Sequence, residues 1–313
     1  MIKQTLALKQ LLRGRVRYEE PLSGHTYIKI GGRAEIFIEP EDNADLGMAL
    51  SELRSAGVKV LVIGQGSNLL VSDETLSAAV IKLSSPEFKK IYRDHDLVYA
   101  GSGAALAAVI DFYKKNSFSG SEFLAGIPGT IGGALRMNAG TRNILPNASS
   151  LLCAMADFVE KIEIMDENLK TRVIFKDRAG FRYRDSDLKN VIILGAWFRF
   201  KEEKRETIEK NIRTFLDYKQ RTQELSMPNA GCVFKNPQNF GMSAGEMIDK
   251  CSLKGKAIGD AEVSTIHANF IINKSRANFA QVRELMSLIS SEVKNKFSVD
   301  LEPEVEIWKN NVE

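Results

Sequence analysis

The stretch that decides the fold is "AGIPGTIGGALRMNAG", residues 125–140, in which five of the sixteen positions are glycine. Apolar Ile, Leu and Met side chains stand between those glycines, which is untypical of a flexible linker. Glycine adopts positive φ angles and, having no Cβ, lets the main chain approach a neighbour closely. We therefore interpret the stretch as backbone held against a flat or anionic partner. A tightly packed turn without a ligand is the alternative.

Upstream of this loop the sequence alternates between strand and helix patterns. "AEIFIEP" and "VKVLVIG" predict strands, and between them "DNADLGMALSELRSAG" predicts a capped helix that ends at Gly57. The strands "AAVIKL" and "LVYAGSG" follow, and then a helix around "AALAAVIDFYKKN". A short amphipathic helix is predicted over residues 3–13. The β-α-β order predicts an α/β domain.

Downstream of the loop, "FVEKIEIMD", "TRVIFK" and "VIILGAWFRF" predict three strands. A charged helix over about residues 203–221 leads to "QELSMPNAGC", where we place the domain boundary. Beyond it we predict a strand, a helix near "SAGEMIDKCSL", strands through "ANFIINK", a helix over about 277–297 and a closing strand in "LEPEVEIW". The predicted domains are 1–218, with two lobes at about 1–85 and 86–218, and 219–313.

The composition is that of an ordinary globular protein. A chain of 313 residues, 44% hydrophobic and 27% charged, is long enough for two domains. The 43 basic and 40 acidic residues leave a net charge of +3, which is too small to indicate nucleic-acid binding. The segment "MIKQTLALKQLLRGRVRYEE" has no long apolar run, so we expect neither a signal peptide nor a membrane span. We expect a cytoplasmic monomer.

The cysteines and histidines do not form a metal-binding pattern. Cys153, Cys232 and Cys251 share no CxxC spacing, and the chain has only three histidines. A structural zinc site needs about four clustered Cys or His ligands, so we expect no metal. We expect Cys153 and Cys251 to be core residues and interpret His267 as structural rather than as a base.

The first glycine loop along the chain, "GQGSNLL" at residues 64–70, follows a predicted strand, and the stretch at 125–140 is the second. The dinucleotide fingerprint of a Rossmann fold needs a third glycine at the sixth position and a helix directly afterwards. Here the sixth position is Leu69, and "LLVSD" continues as a strand, so a Rossmann site is disfavoured. A turn whose N–H groups approach phosphate remains reasonable, with Ser67 and Asn68 as further donors. Together with "IKIGG" at residues 28–32, the loops favour a nucleotide ligand.

Seven blocks of this sequence resemble one enzyme family. "YIKIGGRAEIFIEP", "VIGQGSNLLVSD", "LAGIPGTIGGALRMNAG", "FRYRDS", "NAGCVFKNP", "HANFIIN" and "LEPEV" occur in the order seen in UDP-N-acetylenolpyruvoylglucosamine reductases. The similarity extends from about residue 20 to residue 307. It implies a mixed α/β (α+β) fold: a two-lobed FAD-binding domain of the vanillyl-alcohol-oxidase type, followed by a smaller α+β substrate domain.

The resemblance also implies the cofactors and the residues that bind them. FAD would be bound non-covalently, with its pyrophosphate on the first glycine loop and its isoalloxazine near the second, and NADPH would be the reductant. The implied FAD-binding residues lie on these two loops and are Ile63, Gly64, Gln65, Gly66, Ser67, Asn68, Leu69, Gly126, Ile127, Pro128, Gly129, Thr130, Gly132, Gly133, Asn138 and Gly140.

The catalytic residues implied by the resemblance are Arg184, Cys232 and Glu304, and the substrate-binding residues are Tyr183, Lys235 and Asn236. Only 48 residues separate Arg184 from Cys232, which resembles the subtype that lacks an additional tyrosine-bearing loop. The implied reaction reduces the enolpyruvyl ether of UDP-N-acetylglucosamine to UDP-N-acetylmuramate.

In that reaction a proton donor must complete the reduction of the enol ether. Family members commonly have serine at the position of Cys232, and the ordinary pKa of a thiol, about 8.5, is much closer to neutrality. We interpret Cys232 as the general acid, and the alternative is a buried structural cysteine. Arg184 suits the negative charge that develops on the carboxylate. Glu304 either is protonated, orients Arg184 or positions a proton, and the sequence leaves these roles open.

Two other functions remain as alternatives. One is a different FAD-dependent oxidoreductase of the same fold, and against it "AGCVFKNP" and "LEPEV" are typical of the reductases. The other is a non-catalytic nucleotide-binding protein, and against it the three catalytic positions are all present. The sequence also departs from the family locally, since Glu224 stands where proline is common, Ile266 where a charge is frequent, and Thr141 and Arg142 replace a usual Ala-Tyr pair.

Overall fold

The computed structural model describes residues 7–146, 152–238 and 240–310. The chain folds into two compact units. The first is built from the described residues of Met1–Arg17, Ile36–Gln65 and Ala78–Lys219, and the second from those of Tyr18–Glu35, Gly66–Ser77 and Gln220–Glu313.

Helices and strands alternate along the chain. The helices are α1 Leu8–Leu11, α2 Asn43–Ser55, α3 Leu106–Lys115, α4 Ile131–Arg136, α5 Met155–Phe158, α6 Arg205–Thr222, α7 Ala244–Lys250 and α8 Phe279–Phe297. The strands are β1 Arg15–Pro21, β2 Arg33–Glu39, β3 Val60–Ile63, β4 Leu69–Val71, β5 Leu76–Lys82, β6 Ile91–Asp94, β7 Leu97–Gly101, β8 Phe118–Ser119, β9 Gly140–Arg142, β10 Leu152–Ala154, β11 Val159–Met165, β12 Thr171–Phe175, β13 Ile192–Arg199, β14 Lys201–Glu202, β15 Asn229–Cys232, β16 Ala257–Ile258, β17 Ala261–Val263, β18 Phe270–Asn273 and β19 Glu306–Trp308. The division between the units falls within β1, β2 and β5.

An antiparallel sheet with the strand order β12-β11-β13-β7-β6 provides the core of the first unit. Ile162, Ala196 and Ala100 pair across its three central strands, and all three side chains are buried. Because side chains alternate between the faces of a strand, this row lies on the face that α3 and α4 cover. Small residues in the central strands therefore leave room for α3 and for α4, which lies within the second glycine loop.

The second unit contains the sheet β15-β18-β17-β16 and the helices α7 and α8. Asn278 caps α8 by accepting a hydrogen bond from Gln281 N at 2.9 Å. Val282, Leu285 and Ile289 are buried at helical spacing, so one stripe of α8 packs into the core of this unit.

The predicted order of elements is found, with local differences. The helix predicted over residues 3–13 is α1, Leu8–Leu11, and residues 3–6 lie outside the described part. The closing strand is shorter than "LEPEVEIW" and begins at Glu306. Pro303 has no N–H to donate, and it makes only an isolated bridge with Phe234. In the described residues no helix is both long and apolar enough to cross a membrane.

The second unit also includes two stretches that the sequence boundary at residue 219 assigns to the first domain, residues 18–35 and 66–77. Their pairing explains the difference. β4 pairs in parallel with β19 near the other end of the chain, and Tyr27 N donates a hydrogen bond to Gly66 O at 3.1 Å. Long-range pairing of this kind leaves no signal in local periodicity.

Candidate active site

The two glycine loops meet within the first unit. Gln65 Oε1 accepts a hydrogen bond from Gly129 N at 3.1 Å, and a Cβ added at Gly64 would lie 2.6 Å from Thr130 Oγ1. Gly126 and Gly129 have φ angles of 72° and 140°, which other residues rarely adopt. Glycine at these positions lets the turn after β3 lie against the turn before α4.

Some of the predicted FAD-binding glycines have a reason within the fold itself. Gly132 N donates to Ser102 O at 2.8 Å, and a Cβ at Gly132 would lie 3.1 Å from Ser102 Cβ. A Cβ at Gly140 would lie 2.2 Å from Cys153 O, because β9 and β10 pair there. The packed-turn interpretation therefore accounts for Gly132 and Gly140 without a ligand.

Other parts of the same loop fit a polar ligand. Gly126, Pro128 and Gly133 are exposed, so this segment presents main chain outward. Ser102 Oγ is buried and has no hydrogen-bond partner among the described residues. An unsatisfied buried hydroxyl is costly unless another polar group reaches it. FAD carries polar ring atoms and two phosphates, and these residues fit it.

The remaining FAD-binding predictions fall at the ends of these elements. Ile63 is buried at the end of β3, and Leu69 is buried at the start of β4. Ile127 is half-buried and donates its N–H to Leu124 O at 2.9 Å.

Arg184 lies in a tight turn beside the second loop. Arg182 and Asp185 close this turn with reciprocal main-chain hydrogen bonds, and Arg184 has a φ angle of 54°. Its Nη2 donates to Gly140 O at 2.8 Å, and its guanidinium carbon lies 5.4 Å from the centre of the Tyr183 ring. The structure thus brings together the predicted catalytic arginine, Tyr183 and the end of the predicted flavin loop.

Asn138 fixes this turn in place. Its side chain is buried, and Nδ2 donates to Arg182 O at 2.9 Å while Oδ1 accepts from Ala156 N at 3.0 Å. Ser186, fully buried after the turn, donates its hydroxyl to Arg136 O at 2.7 Å. Asn138, predicted as an FAD-binding residue, therefore acts in this fold as a clamp on the segment that carries Arg184.

Sequence reasoning missed Lys219, which belongs to the same unit. The buried residues of α6 are Ile208, Phe215 and Lys219, and Lys219 is only 2% exposed. Burial lowers the pKa of Lys219 to about 7, with a smaller contribution in the same direction from the charge of Arg184. A signal existed, since the spacing of these three residues puts the lysine on the apolar face of a predicted helix.

Within the second unit, Cys232 and Glu304 lie on paired main-chain segments. Glu304 N donates to Val233 O at 2.8 Å, and Lys235 N donates to Glu302 O at 2.8 Å. Glu304 therefore lies beside the residue that follows Cys232. The two predicted catalytic residues of this unit are brought together by pairing between distant parts of the chain.

The second half of the first glycine loop lies next to the segments that carry Cys232 and Glu304. Asn68 Nδ2 donates to Glu304 O at 3.1 Å, and Glu306 N donates to Asn68 O at 3.0 Å. A Cβ at Gly231 would lie 4.0 Å from Ser67 O, and one at Gly66 would lie 2.2 Å from His25 O. The turn predicted to hold pyrophosphate thus lies next to the strand of the predicted proton donor.

Asn269, a residue that sequence reasoning missed, clamps this strand. Its Oδ1 accepts from Phe234 N at 3.0 Å, and its Nδ2 donates to Phe234 O at 2.8 Å. His267 Nδ1 accepts from Asn269 N at 3.2 Å, and burial lowers the pKa of this imidazole. The contact agrees with the structural interpretation of His267.

The predicted substrate residues Lys235 and Asn236 have partners in the same unit. Lys235 Nζ donates to Glu302 Oε1 at 2.5 Å. Asn236 Oδ1 accepts from Ala244 N at 3.0 Å at the start of α7. The other two cysteines, Cys153 and Cys251, pack against the two cores, and burial raises the pKa of both thiols.

Two family models match parts of this chain. A family model described as "UDP-N-acetylenolpyruvoylglucosamine reductase, C-terminal domain" matches residues 222–308, and one described as "FAD binding domain" matches residues 34–168. The UDP-N-acetylenolpyruvoylglucosamine reductase of Desulforamulus reducens is 36% identical over 312 residues, which cover 98% of this chain and 99% of that protein. The chain belongs to this reductase family.

Other members of the reductase family are similarly close. The UDP-N-acetylenolpyruvoylglucosamine reductase of Thermotoga maritima is 37% identical over 93% of this chain and 98% of its own. The crystal structure of the Thermus caldophilus reductase has a TM-score of 0.79 at 32% identity and covers 95% of this chain and 100% of its own. A solvent-stable cholesterol oxidase, at 14% identity and a TM-score of 0.50, shares the fold over 60% of this chain and 38% of its own. The family and the fold class predicted from the seven sequence blocks are confirmed.

Proposed function

We propose that this member of the reductase family reduces the enolpyruvyl ether of UDP-N-acetylglucosamine to UDP-N-acetylmuramate, a step in the synthesis of peptidoglycan precursors. FAD is the cofactor and NADPH the reductant. Residues 1–218 form the FAD-binding domain, and residues 219–313 form the substrate-binding domain. The enzyme acts as a cytoplasmic monomer. Family membership over nearly the whole chain supports the proposal.

The first step that the chain's own residues perform is binding. Main chain at residues 64–68 and 126–133 would hold FAD, because glycine lets phosphate and a planar ring approach the main chain closely. FAD, when bound, supplies the hydride that is added to the vinyl carbon. Tyr183, Lys235 and Asn236 orient the substrate.

Charge then develops on the substrate's carboxylate. Arg184 meets that charge with a planar guanidinium, which suits a carboxylate better than a point charge does. The hydrogen bond from its Nη2 to Gly140 O, 2.8 Å long, keeps the side chain oriented before substrate arrives. A preoriented cation needs little reorganisation when the charge appears.

The α-carbon finally receives a proton from the Cys232 thiol. The observation that carries this assignment is the pairing of the 233–235 segment with residues 302–304, because it puts Glu304 beside the strand of Cys232. Glu304 either is protonated, orients Arg184 or positions the proton. The thiolate left on Cys232 is reprotonated from solvent before the next turnover.

The test separates the two half-reactions. Under anaerobic conditions NADPH is added to the purified, FAD-loaded protein and bleaching of the flavin absorbance is followed. UDP-N-acetylglucosamine enolpyruvate is then added alone. We expect it to reoxidise the flavin and yield UDP-N-acetylmuramate in equal amount. A reduced flavin that only oxygen reoxidises would contradict the proposed substrate and favour a different flavoenzyme.

The reductant and the oligomeric state have separate tests. NADPH should bleach the flavin faster than NADH at equal concentration. Sedimentation of the FAD-loaded protein should give one species near the 34.8 kDa of a single chain. A preference for NADH, or a dimer at micromolar concentration, would contradict the respective part of the proposal.

A further inference from the structure

Lys219 is a buried cation for which the proposed reaction has no role so far. It lies in the last turn of α6, and the other buried positions of that helix, Ile208 and Phe215, are apolar. Lysine is rarely this buried unless its charge is met by another group. At 2% exposure, Lys219 needs such a group.

Its aliphatic stem packs beside the second glycine loop. A Cβ added at Gly126 would lie 2.9 Å from Lys219 Cδ, whereas Gly126 itself is exposed and has a φ angle of 72°. A residue larger than glycine at this point would displace the lysine. The loop and the lysine therefore form one packed feature.

The charges around Lys219 favour an anion. Among the described residues, no carboxylate pairs with its ammonium and no acceptor receives a hydrogen bond from it. The charged group that acts on it is Arg184, another cation. Two neighbouring cations repel each other, and an anion bound at the ammonium of Lys219 would relieve that repulsion.

We propose that Lys219 contacts the flavin ring and meets, with its ammonium, the negative charge that the ring gains on reduction. The inference rests on the proposed function, because the bound flavin comes from it. The packing of Lys219 on Gly126 favours the flavin over the substrate, whose carboxylate already has Arg184. A positive charge close to a flavin raises its tendency to accept electrons.

The FAD-loaded protein and its variants test this assignment. Lys219→Met and Lys219→Gln remove the charge, Lys219→Arg keeps it, and Lys210→Met removes an exposed lysine from the same helix. Both neutral variants should fold, because losing an unpaired buried charge relieves a desolvation cost. The readout is the equilibrium between the flavin and a redox dye of known potential, recorded without substrate.

We expect the equilibrium constant for flavin reduction to fall about tenfold in Lys219→Met and Lys219→Gln, the effect of one lost charge interaction. Lys219→Arg and Lys210→Met should stay close to the wild type. An unchanged equilibrium in both neutral variants overturns the proposal. If the KM for the enol ether rises while that equilibrium stays unchanged, the ammonium serves the substrate's carboxylate, and the assignment to flavin is wrong.

The wild-type protein separates this inference from the proposed function. If its reduced flavin is not reoxidised by the enol ether, the proposed substrate fails, yet the dye equilibrium of the Lys219 variants still decides the flavin contact. If the wild type turns over the enol ether and the dye equilibrium does not respond to Lys219, only the inference fails. Protein that binds no FAD overturns both.

Discussion

A buried asparagine holds predicted site residues in each of the two units, and the two asparagines do so differently. Asn138, in the first unit, joins Arg182 O to Ala156 N, which are two separate segments. Asn269, in the second unit, uses both ends of its amide on the single residue Phe234. Each clamp fixes the segment that carries a predicted catalytic residue.

The surroundings of the two clamps are not equal. The segment around Phe234 also has main-chain bonds: Val233 N donates to Asn269 O, and Glu304 N donates to Val233 O, both at 2.8 Å. The turn that carries Arg184 is closed by main-chain bonds between Arg182 and Asp185, but the side chains of Asn138 and Ser186 attach it to neighbouring segments. Where main-chain hydrogen bonds hold a segment, a side chain on it can be exchanged without moving the segment. Where side chains provide the support, their identity is part of the site.

The largest expected effect is at Cys232, and it tests whether the main-chain support is independent of the side chain. Cys232→Ala should leave the reduction of flavin by NADPH intact and lower reoxidation by the enol ether about 10²- to 10⁴-fold, the usual contribution of a general acid. Cys232→Ser should keep much of the activity. Stopped-flow measurement of both half-reactions checks this.

Cys251→Ala is the control, because Cys251 packs against the core of the same unit. It should leave both half-reactions near the wild-type rates. Full turnover of the enol ether by Cys232→Ala would show that the thiol is structural.

The two asparagine clamps should differ in their effect on turnover. Asn138→Ala leaves Ala156 N without its partner and removes one of the two hydrogen bonds to Arg182 O, and we expect the unfolding free energy to fall by about 2 kcal/mol. Asn269→Ala should cost a similar amount of stability. Only Asn138→Ala should lower enol ether turnover strongly at a temperature where both variants are folded, because Arg184 loses its support.

Urea unfolding and steady-state kinetics on the two variants measure this difference. Equal losses of turnover would contradict the claim that main-chain pairing is enough to support the segment that carries Cys232.

The sequence offered candidate site residues, and it did not show what supports them. Glycine density in "AGIPGTIGGALRMNAG" correctly indicated close approach, but for Gly132 and Gly140 the approaching group is the chain itself. A sequence shows where a Cβ is not tolerated, and it does not show which atom that Cβ would meet. The long-range pairing that brings Asn68 to Glu304 is invisible to periodicity for the same reason.

The resemblance predicts Arg184, Cys232 and Glu304 as catalytic residues because their neighbours form recognisable blocks. Lys219 belongs to no such block. The charged composition of α6 also masks it, since lysine in a helix is usually solvated. Only the side of the helix on which it lies indicates its burial, and that side is fixed by tertiary packing.

Two buried charges give a second contrast, Lys219 in the first unit and Glu224 in the second. Burial lowers the pKa of Lys219 from its ordinary value of 10.5 to about 7. At a pH between these two values, the lysine is protonated in the unfolded chain and largely neutral in the folded one, so the unfolded chain binds more protons. The stability of the wild type should therefore rise across this range. Lys219→Met should be more stable than the wild type at pH 6, and the advantage should shrink towards pH 10.

Urea unfolding of the purified proteins at several pH values checks this, with Lys210→Met as the exposed control on the same helix. An advantage of Lys219→Met that does not depend on pH would mean that packing, and not charge, distinguishes the two proteins.

The smallest expected effect is at Glu224, the buried charge of the second unit, and it should have the opposite sign. Burial alone would raise its pKa, but hydrogen bonds from Ser226, Ser264 and Met227 hold the pKa below its ordinary value of 4.5. This carboxylate organises the turn before β15. Its charge is satisfied by the chain, whereas that of Lys219 is not.

Glu224→Gln should therefore lower the unfolding free energy by about 1 kcal/mol at pH 7, since the amide oxygen still accepts some of these bonds. The difference from the wild type should disappear as the pH falls below 4.5, through the lowered pKa of the folded state. Glu292→Gln, at an exposed position of α8, should show neither effect. If the loss at Glu224 is as large at pH 3 as at pH 7, shape and not charge supports the turn, and the contrast with Lys219 does not hold.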